Sequence, residues 1–443
     1  MKTSMFQIIL LAVFGACAVA GTLIFALLVS GNAGSAIGKV VIWGTLDEST
    51  MTSVIRNAAE DDQRYSQVSY VYKDPDTYSS DLVNALAGGT GPDLFIMSQD
   101  MVMRDATKVY QVPFTALSKT QFQNTFVQAA SAFMGENGIV ALPLTADPLV
   151  MYWNTDLLSG AGLSQPPAYW DEVSAFAKRI VKRSDAGDVT RSAIAFGEYD
   201  NVNNAKDILS MLILQAGGTI TARNSGTIVP LLSSRSADVQ GLPAEKALMF
   251  YTEFADPSQQ EYSWNRGRPD ARTAFTSGDL ALYFGYASEE EQIRHANPNL
   301  NFLIAPVPQE RGMTPVSVAR VYALATARTS SNVTGALTIA TLLAAHDMSA
   351  MIADSLGAVS ARRDALQSTS TAASGNGLIG DGLCSDSDVR ICSVLLARSW
   401  IDPDPDKTNA IFRAMIQGVT SGSVRVQDAL GRADQQIAHA VGQ

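Results

Sequence analysis

Between Lys39 and Met97 the chain alternates strand-like and helix-like patterns, and that order constrains the fold more than any other feature. Lys39-Val40-Val41-Ile42-Trp43-Gly44 reads as a buried strand ending in glycine, and residues 50–65 read as a helix with Ser49 or Thr50 as N-cap. Val68-Ser69-Tyr70-Val71-Tyr72 alternates as a second strand, and 78–87 is helical until Gly88-Gly89 stops it. Asp93-Leu94-Phe95-Ile96-Met97 is a third buried strand. Strand, helix, strand, helix, strand at this spacing predicts parallel βαβ units, because parallel neighbours need a crossover. Ligands of such sheets bind beyond the carboxyl ends of the strands, here Trp43-Gly44-Thr45 and Ser98-Gln99-Asp100.

The remainder continues in the same α/β style. Pro143-Leu144-Thr145-Ala146-Asp147 interrupts two apolar runs, as expected where a chain leaves one sheet and enters another. Strands are expected at 194–197, 280–284, 301–305 and 322–326, with helices between them and a mainly helical tail from about 410 to 441. Length allows two or three domains, or two large lobes. A formal charge of −11, from 43 acidic and 32 basic residues, argues against a general nucleic-acid binder. Three cysteines cannot form a disulfide scaffold, although Cys384 and Cys392 are expected to pair in an oxidising compartment.

That compartment follows from the first 30 residues. Residues 6–29 are almost wholly apolar, and no charge lies between Lys2 and Lys39. Such a run, about 36 Å long as a helix, would cross a hydrocarbon core of about 30 Å. It is longer than the core of a cleaved signal peptide. The expectation is therefore an uncleaved single-pass anchor with the rest of the chain outside the cytoplasm, joined through a linker at 31–38. Cleavage after Ala20, or lipidation at Cys17, are the competing readings.

Several blocks resemble the extracellular solute-binding proteins of ATP-driven importers, in the carbohydrate-binding family that includes maltose-binding protein. Val40-Val41-Ile42-Trp43 is similar to that family's first strand, and Gly91-Pro92-Asp93-Leu94 to its Pro-Asp strand entry. Tyr152-Trp153-Asn154-Thr155-Asp156-Leu157 resembles its Tyr-Asn-x-Asp-Leu turn. Ala161-Gly162-Leu163, Pro166-Pro167 and Trp170-Asp171-Glu172 match a further block. Phe275-Thr276-Ser277-Gly278 through Leu282 and Ala305-Pro306-Val307-Pro308 match the later strand and hinge.

The resemblance implies an α/β, two-lobed periplasmic-binding-protein-like fold (type 2), here with an N-terminal transmembrane helix. Lobe one is expected at 39–144 with 308–357, and lobe two at 148–303 with 360–443. It also implies a carbohydrate in the cleft, delivered to the permease subunits of an ABC importer. By position, the ligand-binding candidates are Trp43, Thr45, Asp47, Ser98, Gln99, Asp100, Asp147, Glu198, Tyr199, Gly285, Tyr286, Arg320 and Tyr322, with Trp400 or Asp402 from the tail. No cofactor, metal or catalytic motif is expected: the three histidines are scattered, and no His-Glu-x-x-His or Gly-x-Ser-x-Gly occurs. The alternatives are an anchored sensor with the same fold, or a glycoside hydrolase drawing a carboxylate pair from Asp100, Asp147 and Glu198.

Overall fold

The computed structural model describes residues 37–224, 226–235, 241–370 and 388–442, for 367–370 the backbone alone. The expected anchor at 6–29 and its linker lie outside the described residues, as does Cys384. Cys392, on the helix Val389–Leu396, is disulfide-bonded. Among the described residues no single helix is long and apolar enough to cross a membrane; one bent pair, Val333–Leu343 with His346–Ser355, passes that test jointly.

The N-terminal units form as their pattern predicts. β1 (Val40–Gly44), β2 (Val68–Tyr72) and β3 (Leu94–Ser98) are parallel, with α1 (Glu48–Asp61) and α2 (Tyr78–Ala87) as crossovers. The N-cap of α1 is Asp47, earlier than Ser49 or Thr50: its carboxylate accepts from the Thr50 amide at 2.7 Å. The last residue of β1 is glycine because a Cβ there would lie 2.9 Å from both Ile96 and Tyr70.

Two long strands then carry the chain between lobes. β4 (Leu142–Asn154) is buried along its whole length, and the expected interruption at Pro143–Asp147 is continuous strand. Its first half pairs with β8 (Ser317–Thr326). Its second half pairs with β6 (Leu280–Tyr286) and β7 (Phe302–Ala305), while β5 (Val189–Ile194) pairs in parallel with β6. The path β2-β1-β3-β8-β4-β6-β5 is thus one ladder passing through both lobes.

Two separate cores sit on this ladder. The first gathers buried side chains from β1 to β3, the first half of β4, β8, α5 (Val333–Leu343) and α6 (His346–Ser355). The second is built on the second half of β4, β5, β6, α3 (Ala205–Gln215), α4 (Pro243–Glu253), α8 (Pro405–Thr420) and α9 (Val426–Ala440). Ala361, Leu366, Val394 and Ala397 belong to the first core. The chain therefore settles into the second lobe only from about Trp400 and α8, not at 360, because α7 (Val389–Leu396) lies against β4 and β8 at the crossing.

Candidate functional site

The space between the two cores contains a cavity of about 770 Å³. Gln99, Met103, Ser131 and Glu136 of lobe one face Arg223, Trp400 and Asp402 across it. That volume is in the range of small-molecule sites. Two ion pairs join the rims: Arg104 to Asp406 at 3.2 Å and Arg223 to Glu136 at 3.6 Å.

The lobe-two wall is a preset polar group on an aromatic base. Lys206, at the start of α3, donates to Asp402 at 2.6 Å and to Thr408 at 2.7 Å. Burial pushes the Asp402 carboxyl up to about 6 against the opposing pull of Lys206. Trp400 stacks on Phe412 with ring centroids 6.1 Å apart. The Lys206 ammonium lies 5.4 Å from the Trp400 ring centre. The Asp402–Asp406 turn is thus an anchored corner: Asp402 is buried, and Asp404 caps α8.

At the hinge, Arg320 on β8 stands opposite Asp147 on β4. Its guanidinium lies 4.1 Å over the Tyr286 ring and 3.6 Å from Asp207. The Tyr286 hydroxyl donates to Asp207 at 2.8 Å, and burial raises that phenol so that it remains a donor. Asp147 accepts from the Ser288 amide at 3.1 Å and hydroxyl at 2.5 Å, and burial pushes its carboxyl up to about 6.

The lobe-one wall uses the end of β3. Gln99 replaces a ladder partner: its amide donates to Ala319 O at 3.3 Å and accepts from Val321 N at 2.7 Å. Ser98 is buried and donates to Asp100. The Asp100 charge is felt by both Arg320 and Asp402. Tyr322 pairs with Ser98 across the ladder and packs on the first core.

The other sequence candidates have local partners. Lys73 lies 3.7 Å over the Trp43 ring. Thr45 is half-buried in the turn after β1, and Asp47 is the exposed cap of α1. Glu198 is buried and held by Arg266 at 3.3 Å. Gly197 before it has φ of +93°, and a Cβ there would meet Ala255 at 2.5 Å. Tyr199 packs on the second core beneath Arg413, at 5.2 Å. Gly285 lies under Tyr283, which a Cβ would approach to 2.5 Å. Of the cleft candidates, Gln99 lines the cavity directly, with Trp400 and Asp402.

Sequence reasoning missed Lys206, Asp207, Glu136 and Arg223. The signal for the first two was a polar start, Asn203-Asn204-Ala205-Lys206-Asp207, to an otherwise apolar helix. Asn204 is in the left-handed region at φ 61°, so the chain turns sharply there and aims the first helical turn at the cleft. Among the described residues no group of three or more His, Cys, Asp and Glu is arranged to hold a metal.

Two lobes on shared hinge strands with a polar, tryptophan-bearing space between them define a two-jawed binding protein. The family profile of bacterial extracellular solute-binding proteins matches residues 48–348, and the chain belongs to that family. Chains from Brucella abortus and Brucella suis, named only as binding proteins, are 24% identical over 228 residues. That match takes in 51% of this chain and 52% of theirs, so the chain spans about half the length of the curated relatives it matches.

Solved structures share the fold more completely. The cyclic alpha-maltosyl-1,6-maltose binding protein from Arthrobacter globiformis aligns with TM-score 0.71 at 15% identity, covering 91% of this chain and 99% of that one. The GacH receptor of Streptomyces glaucescens, solved unliganded and with acarbose, aligns at 0.69 and 17%, covering 93% and 100%. A cyclo/maltodextrin-binding protein complexed with maltotetraose aligns at 0.69 and 16%, covering 92% and 97%.

Proposed function

We propose that this chain is the solute-binding subunit of an ABC importer, that it takes a carbohydrate in the interlobe cleft, and that residues 6–29 anchor it outside the cytoplasm. The observation that carries the reading is the cavity of about 770 Å³ lined by Trp400, Asp402 and Gln99, with Lys206 holding Asp402 from behind. A sugar offers apolar CH faces to an indole and hydroxyls to fixed donors and acceptors, which is what these side chains supply. Relatives of this fold were solved with maltotetraose and with acarbose, which supports the class of ligand. Closure needs only that the ligand bind the closed form better than the open one. The closed form is then what a permease would receive.

Titration calorimetry of the purified full chain against oligosaccharides, polyols and peptides tests the ligand class. Saccharide binding is expected. No saccharide binding, with tight binding of another class, would overturn the carbohydrate reading. For the anchor, the chain is expected in the membrane fraction with its apolar segment intact; a mature N-terminus near residue 21 or 37 would contradict it. Loss of solute uptake on deleting the gene is the expected sign of delivery to a permease, and unchanged uptake would count against it.

A further inference from the structure

A second cavity, of about 310 Å³, opens in lobe one and is lined by Phe122, Gln123, Phe126, Gln128, Ser131 and Arg363 among others. Gln123 and Ser131 also line the larger cavity, so the two spaces adjoin. Among the described residues none that lines the smaller one is acidic, and Arg363 is its one charged lining group. The Arg363 guanidinium donates to the Phe126 carbonyl at 2.8 Å, and among the described residues it has no carboxylate partner.

Arg398 belongs to the same neighbourhood. It sits on the short strand Ala397–Arg398, which packs against the turn Gln128–Phe133. It donates only to the carbonyls of Leu396 at 3.1 Å and Ala397 at 3.0 Å, again with no carboxylate among the described residues. Burial lowers its pKa, and the positive charge of Arg363 lowers it further. Lys119 stands one turn before Gln123 on the helix Lys119–Thr125 and lines the larger cavity where the two meet.

The protein carries a formal charge of −11, and Arg64, Arg104, Arg266, Arg294, Arg311 and Arg362 each have an acidic partner, whereas Arg179 and Arg183 donate to carbonyls at the exposed surface. What sets Arg363 and Arg398 apart is that both are half-buried in one neighbourhood, one of them lining a cavity. Two half-buried guanidiniums near one another without a counter-ion are unfavourable until an anion joins them. The planar donor fork of arginine fits carboxylate, sulfate and phosphate oxygens in pairs.

We propose that this lobe-one pocket binds an anionic group, a carboxylate, sulfate or phosphate, through Arg363 with Arg398 in support. The group arrives either as a free ion or as the charged end of the cleft solute; the second source rests on the solute-binding function proposed above, and the first does not.

The test is calorimetric titration of the full chain with inorganic phosphate, inorganic sulfate, an acidic oligosaccharide such as an oligogalacturonate, and a neutral oligosaccharide of the same length. Arg363→Gln should weaken anion binding by about tenfold or more, and Arg363→Lys should restore part of it by keeping the charge without the fork. Arg311→Gln, at an exposed pair on the far lobe, should change nothing. Binding of phosphate or sulfate lost in Arg363→Gln supports the free-ion source. Binding of the acidic saccharide alone, lost in the same variant, supports the solute-borne source. Should Arg363→Gln not fold, by thermal melting, Arg398→Gln and Arg363→Lys carry the comparison. Failure of every anion to bind, or anion binding indifferent to Arg363 and Arg398 variants, overturns the proposal. A neutral saccharide that binds while no anion does overturns the anion pocket and leaves the carbohydrate reading standing.

Discussion

Lobe two and lobe one both bury a continuous core, but they pack their rings differently. In lobe two, Trp170, Phe196, Phe250, Tyr251, Phe254 and Phe284 touch one another, and Tyr152, Phe275, Tyr283 and Phe302 form a second group. Lobe one buries Tyr65, Tyr70, Tyr78, Phe95 and Phe133 as well, yet among the described residues its ring contact is Phe122 with Phe126. The cleft inherits the difference. The lobe-two wall rests Trp400 on Phe412 and ties Lys206 to Asp402, so it is set before any ligand arrives. The lobe-one wall is made of short turns: Gln99–Met101, held by the two Gln99 side-chain bonds to β8, and Gln128–Phe133, held by backbone bonds at its ends. One jaw is braced by a buried ion pair on stacked rings, the other by turns bonded to the hinge strand and to its own backbone.

The sharpest way to break that comparison is to remove a ring from each core. Phe196→Ala opens the centre of a mutually packed cluster and should cost about 4–5 kcal/mol, whereas Phe122→Ala should cost nearer 3 kcal/mol. Urea unfolding measures both, and equal losses would erase the distinction.

Next in size is Lys206→Met, which strands a buried carboxylate and should cost about 3 kcal/mol, with Lys206→Met/Asp402→Leu recovering part of the loss. A double variant as unstable as the single one would show that packing, not charge, holds that wall.

A pH series then separates hinge from walls. The Asp147 carboxyl has a folded pKa near 6, above the usual 3.8, so between those values the folded chain holds a proton that the unfolded chain has released. Stability from this group is therefore present at low pH and lost as pH rises from about 4 to about 6, by roughly 1–3 kcal/mol. Asp147→Asn should remove that slope, as read from unfolding midpoints across the range; an unchanged slope would assign it elsewhere.

The smallest effect belongs to the rim. Asp406→Asn breaks the exposed rim pair with Arg104 while leaving the Arg104–Asp105 pair in place, and should change stability by less than about 1 kcal/mol. A larger loss would mean that the rims, not the hinge strands, fix the jaws.

Much of the frame is legible in the residues. The β1 to β3 alternation and the crossovers between them follow from local pattern, and the hinge at Pro143 to Asp147 is marked by its composition. Its continuity as one strand is not, because proline usually interrupts a ladder; here the pairing with β8 shifts register beside Pro143, between Tyr322 and Ala323, and Pro148 falls where β4 changes partners. The site was partly legible. The end of β3 locates Gln99 and Asp100, and the crossing strands locate Asp147 and Arg320. Lys206 and Asp402 join from positions 196 residues apart, a contact that no local period encodes. Asp47 illustrates the opposite case: an acidic residue at a strand end is equally a helix cap, and in the structure it caps α1.

Hydrogen exchange followed by mass spectrometry, on the full chain with and without a saturating saccharide, tests the central claim most directly. Binding between the lobes should protect amides on both walls together, around 99–103 and 131–136 in lobe one and 399–402 opposite, with the larger gain in lobe one. Protection confined to a single lobe, or lying away from these segments, would contradict a cleft-bound solute.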